Sequence, residues 1–144
     1  MSSSIITVTT QTVKQNGYLV VADNRDAVLI DPGCNPEKYI KEIETHDLNL
    51  KAIIATHGHF DHIGAASELK DLYSVDFIIH SKDSAILKTA NFYAKLLSSH
   101  ESITIPEQVK FLEGNRGVLD YNTFKIKWLH SPGHTPGSIT NIGA

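Results

Sequence analysis

The chain holds one cysteine, Cys34, in 144 residues. No internal disulfide is therefore available to staple the fold, and a reducing compartment is acceptable. It has no apolar run approaching the roughly 20 residues that span a bilayer. The opening Met1-Ser2-Ser3-Ser4 is polar, where a secretory signal is basic and then apolar. Positive charge is also scarce: 13 Lys and Arg against 16 Asp and Glu leave a net charge of −3. That balance gives no electrostatic footprint for nucleic acid or an anionic membrane. No internal repeat, charge block or low-complexity linker divides the sequence. The expectation is a single domain over residues 1–144, cytoplasmic, with neither nucleic acid nor membrane as partner. What the chain does have is histidine, eight in all, three of them between positions 57 and 62.

Around that cluster the hydrophobic pattern alternates between strands and helices. Ile5–Thr10, Tyr18–Val21 and Ala27–Ile30 read as strands, the last two joined by the turn-rich Asp23-Asn24-Arg25-Asp26. Asp31-Pro32-Gly33 breaks the sheet, and Pro36 suits the first turn of a helix carrying Tyr39, Ile40 and Ile43 on one side. A strand over Lys51–Ala55 feeds the histidines, and the apolar spacing predicts a helix from about His62 to Tyr73. Phe77–Ile79 reads as a short buried strand, Ser84–Ser98 as a helix, residues 99–117 as a loop, and Phe124–Leu129 as a strand. Strands alternating with helices, with antiparallel pairs at the start, indicate an α/β architecture (α+β in some schemes).

Thr56-His57-Gly58-His59-Phe60-Asp61-His62 follows a strand, at the sheet edge where α/β proteins commonly place active sites. In extended backbone His57 and His59 point the same way, so the pair can grip one ion; Asp61 continues the alternation. Neutral imidazole and carboxylate are ligands that zinc-like divalent metals prefer. Ser131-Pro132-Gly133-His134-Thr135-Pro136-Gly137 offers another histidine on a stiff turn after a strand, with His130 as its competitor for a place in the site. Three histidines with an open fourth position describe a catalytic metal rather than a closed structural one. The isolated His46, His80, His100 and His130 are expected to be surface or loop residues without a metal.

With these motifs in place, the sequence resembles the metallo-β-lactamase-fold superfamily of metallohydrolases, in particular its hydroxyacylglutathione hydrolase (glyoxalase II) branch. The family's H-x-H-x-D-H signature stands as His57-Gly58-His59-Phe60-Asp61-His62, its upstream aspartate as Asp31 before Pro32-Gly33, and its second histidine motif around His134. The resemblance implies that His57, His59 and His134 hold one metal and that Asp61 and His62 contribute to a second. It makes Asp61 the residue that orients or deprotonates the nucleophile, with Asp31 and Gly33 as local support. It implies one or two zinc ions, iron or manganese being alternatives, and an activated water attacking a thioester or related ester or amide carbonyl. A histidine at position 59 argues against the flavodiiron relatives, which carry glutamate there. Iron-dependent persulfide dioxygenases share the signature and stand as the alternative.

Family members continue past the second histidine motif to a metal-bridging aspartate and a last histidine, whereas residues 135–144 contain no Asp, Glu, His or Cys. The expected fold is therefore an incomplete αββα sandwich of mixed sheets and flanking helices, lacking the C-terminal part. Self-association or a complementing chain would cover the gap. A catalytically inactive remnant that binds only metal or a partner is the third reading.

Overall fold

The computed structural model describes residues 3–10, 15–33, 35–58, 63–97, 105–122 and 124–142. The elements run β1 (Ser3–Thr10), β2 (Gln15–Ala22), β3 (Asp26–Ile30), α1 (Pro36–Thr45), β4 (Asn49–Ile54), α2 (Ala66–Tyr73), β5 (Asp76–His80), α3 (Ser84–Leu97), β6 (Lys110–Leu112), β7 (Arg116–Asp120), β8 (Lys125–His130) and β9 (Ile139–Ile142). A six-stranded sheet has the order β1-β2-β3-β4-β5-β6, and a three-stranded sheet the order β7-β8-β9. The first three strands pair antiparallel and β3 to β6 pair parallel, while the small sheet is antiparallel throughout.

The parallel strand β3 and the C-terminal halves of β4 and β5 are apolar and buried because both faces of the large sheet are covered there. Ala27, Leu29, Ile53, Phe77 and Ile79 pack with Tyr39, Ile43, Ile63, Leu69 and Leu87 from the helical side. Their neighbours Val28, Ile30, Ala52, Ile54 and Ile78 face the other way, against Leu119, Phe124, Ile126, Trp128 and Ile139 of the small sheet and its turn. The small sheet has only one covered face. Along β8, Ile126 and Trp128 are buried while Lys125, Lys127 and Leu129 are exposed, the period-2 pattern of a half-covered strand. At the connection between β7 and β8, Tyr121 packs on Phe124. Burial, reinforced by the Asp76 carboxylate, pushes its hydroxyl pKa up to about 12.

These layers agree with the expected α/β architecture of mixed sheets and flanking helices, and Pro36 sits in the first turn of α1 as expected. Three local expectations are corrected. The stretch 99–117 is not one loop, since it supplies β6 and the start of β7. Most of β6 and β7 is exposed, so neither carries a buried run, and pairing with β5 and β8 orders them. β9 also went unread, because it has four residues directly after the Pro/Gly-rich turn. The second helix begins at Ala66 rather than near 62, with Ile63 reaching the core from the turn before it. No helix among the described residues is long and apolar enough to cross a membrane.

Candidate metal centre

Parallel β3, β4 and β5 end side by side, which brings the residues following each strand to one edge of the large sheet. Asp31 follows β3. Its backbone takes a left-handed turn with φ 54°, and its amide donates to the Ile54 carbonyl at 2.9 Å. That bend aims the buried carboxylate across to the end of β4. One Asp31 oxygen accepts the Thr56 amide at 2.7 Å and the other accepts the Thr56 hydroxyl at 2.6 Å.

The same hydroxyl lies 3.0 Å from Nδ1 of His57. A hydroxyl has one proton, and here it goes to the carboxylate. The contact to His57 must then run from Nδ1–H to the Thr56 oxygen, which puts the imidazole lone pair on Nε2. An outer hydrogen bond that fixes the tautomer in this way is how metal-binding histidines are normally oriented. Asp31 thus holds the end of β4 through Thr56, and Gly33 is buried in the loop that follows it.

The turn carrying His134 arrives from the small sheet. The Ile139 amide donates to the Thr56 carbonyl at 2.9 Å, fastening the start of β9 to the end of β4. His134 is exposed at the rim and His57 is buried behind it. Their ring centroids are 4.7 Å apart with planes at 80°. In this packing His134 stands beside His57, whereas His130 lies elsewhere. The His130 ring stacks on His80 at 4.3 Å and 6°, and its Nε2 donates to the Pro136 carbonyl at 2.7 Å, bracing the turn.

His80 corrects an expectation: it is 1% exposed rather than a surface or loop residue. Its Nδ1 accepts the Lys82 amide and its Nε2 donates to the Gly114 carbonyl, so backbone groups occupy both ring nitrogens. His46 is exposed, beside Glu42. His59, Asp61 and His62 lie outside the described residues, as do Cys34 and His100. Among the described residues no cluster of three or more metal-ligating side chains forms. His57, with its lone pair directed to Nε2, and His134 beside it are suited in donor type to a borderline divalent cation.

One residue central to this edge was missed by sequence reading. Asp83 ends a short 3-10 turn after β5 and is fully buried. Its Oδ2 accepts the Gly58 amide at 2.9 Å and the Thr135 hydroxyl at 2.7 Å, and its Oδ1 accepts the Gly137 amide at 2.7 Å. Hydrogen bonds to a carboxylate contribute about 1.5–3 kcal/mol each. Burying the carboxylate costs several kcal/mol, so the arrangement is favourable only with all its donors in place. Close approach requires a glycine at 137 and makes a side chain at 58 tight. A Cβ on Gly137 would stand 2.6 Å from the Asp83 amide nitrogen, and one on Gly58 would stand 3.1 Å from the Leu87 nitrogen. Ser-Lys-Asp-Ser before a helix is an ordinary sequence, and no local signal marks Asp83.

Residues 11–143 match the model of the metallo-beta-lactamase superfamily. The chain is 37% identical over 141 residues to hydroxyacylglutathione hydrolase GloC of Haemophilus influenzae, an alignment covering 96% of this chain and 65% of that protein. It superposes on the BLEG-1 B3 metallo-beta-lactamase with a TM-score of 0.87 and 30% identity, covering 97% of this chain and 67% of the other. It superposes on TTHA1623, solved in a di-iron-bound form, with a TM-score of 0.80 and 32% identity, covering 96% and 66%. The chain spans less than two thirds of the length of such curated relatives, 65% for the Haemophilus protein and 55% and 60% for two others.

Proposed function

Because the chain belongs to the metallo-beta-lactamase superfamily, we propose that it is a cytoplasmic metal-dependent hydrolase of the hydroxyacylglutathione hydrolase type, cleaving a thioester or a related ester or amide carbonyl. The observation that carries the reading is the meeting of His57 and His134, two histidines from separate motifs whose rings stand 4.7 Å apart. In this reading His57, His59 and His134 hold one divalent ion, and Asp61 and His62 contribute to a second. Zinc is the first choice, and the di-iron form of TTHA1623 makes iron the competitor.

A divalent ion held there would supply Lewis acidity for the carbonyl and for the attacking water. The protein's own part is positional. Asp31 and Thr56 hold His57 in the tautomer that presents Nε2. Asp61 orients the attacking water and accepts its proton. The exposed His134 lies on the solvent side, where a substrate carbonyl arrives, and the buried His57 closes the site from behind.

The experiment is thiol release from an S-hydroxyacyl-glutathione thioester, alongside metal analysis of the purified protein. Metal-dependent hydrolysis, abolished by a chelator and restored by zinc, is expected. Oxygen consumption with a glutathione persulfide, on an iron-loaded protein without thioesterase activity, would replace this reading with the dioxygenase one. Bound metal with neither activity would identify an inactive remnant.

A further inference from the structure

We propose that Asp83 is a positioning residue of the metal centre, whose carboxylate clamps the two histidine-bearing loops together and so sets the approach of His57 to His134. The proposal rests on the metal-site reading above and adds to it a residue outside both motifs.

The geometry is specific to the two loops. Gly58 directly follows His57, Thr135 directly follows His134, and Gly137 lies two residues further along the same turn. One carboxylate accepts from all three: Gly58 and Thr135 share Oδ2, and Gly137 takes Oδ1. Asp83 thus ties the end of β4 in the large sheet to the turn before β9 in the small one. The turn is organised around the same contact. The Thr135 hydroxyl gives its proton to Asp83, so at 2.8 Å it accepts from the Ser138 hydroxyl, whose oxygen in turn accepts the Thr135 amide at 3.0 Å.

Asparagine is nearly isosteric but has a single acceptor oxygen. Whichever way its amide is placed, a backbone N–H from one histidine loop faces an NH₂ group. The clamp then releases either Gly58 or Gly137 while the fold around it keeps its volume. Outer groups that orient metal-binding histidines typically change metal affinity by about 10–100-fold when lost. An effect of roughly tenfold is expected here, because Asp83 acts through backbone rather than on the imidazole itself.

The test compares Zn²⁺ affinity by chelator competition, and the visible absorption spectrum with Co²⁺, for the wild type, Asp83→Asn and Ile43→Ala. Ile43 is a core residue near the end of α1 that leads into the start of β4, and so lies remote from the strand ends that carry the histidines. Weaker Zn²⁺ binding and an altered Co²⁺ spectrum in Asp83→Asn, with both unchanged in Ile43→Ala, support the clamp. Equal affinity and an unchanged spectrum in Asp83→Asn overturn it while leaving the metal centre intact. A wild type that binds neither ion overturns the metal-site reading and the clamp with it. If Asp83→Asn does not fold, Thr135→Val decides by the same criterion, since it removes one of the three bonds and should weaken binding a few-fold.

Discussion

Two pairs of histidines connect the end of the large sheet to the small one, and they are built differently. His80 and His130 stack face to face at 4.3 Å and 6°. Their hydrogen bonds go to backbone: His80 to Gly114 and Lys82, His130 to Pro136. His57 and His134 meet edge to face at 4.7 Å and 80°, and a Thr56–Asp31 relay occupies Nδ1 of His57 so that its lone pair lies on Nε2. Burial does not separate the pairs, since each has a buried member. What separates them is the use of ring nitrogens. A histidine whose nitrogens are taken up by main-chain groups is a structural strut, and one whose tautomer is fixed from behind is the kind that the proposed metal centre requires.

The sharpest way to break that contrast is to delete one member of each pair. His57→Ala or His134→Ala should reduce Zn²⁺ affinity by well over the ~10–100-fold that loss of an outer partner costs, with little change in denaturant midpoint. His80→Leu should do the reverse. It leaves the Lys82 amide and the Gly114 carbonyl unsatisfied, at about 1–3 kcal/mol by urea unfolding, and keeps metal affinity near the wild-type value. A loss of metal binding in His80→Leu equal to that in His57→Ala would erase the distinction.

Gly137→Ala tests the scaffold that holds His57 and His134 together. The new methyl group meets the Asp83 backbone, and overpacking of this kind costs about 1–3 kcal/mol. Stability and metal affinity should fall together, measured on the same preparation by urea titration and chelator competition. The mildest expected effect belongs to Thr56→Val. It removes the hydroxyl that receives the His57 Nδ1 proton but keeps the Thr56 amide bond to Asp31. Zn²⁺ affinity should drop about tenfold, and an unchanged affinity would show that the His57 tautomer does not depend on the relay.

The legible part of the fold was the part with covered faces. β3, β4 and β5 announce themselves as apolar runs because side chains of both parities are buried. β6 and β7 were read as loop because what orders them is a neighbouring strand, and pairing leaves no mark in a sequence that keeps most of its side chains in solvent. The same limit governs the candidate site. Asp31 and His57 stand in recognisable motifs, and Thr56 links the two by hydrogen bonds. Asp83 has no motif, because its significance depends on three donors from two distant loops.

Taken alone, the order of residues determined which donors are available and how densely they are grouped: imidazoles and a carboxylate packed at a strand end, and one more histidine on a Pro/Gly turn. Spacing carries that information because local backbone geometry sets which neighbouring side chains share a direction. Tertiary structure decided which of His130 and His134 faces His57, and which carboxylate holds their loops in place. That choice required two sheets to pack, since Asp83, Gly58 and Gly137 become neighbours only when the end of β5 lies between the histidine loops.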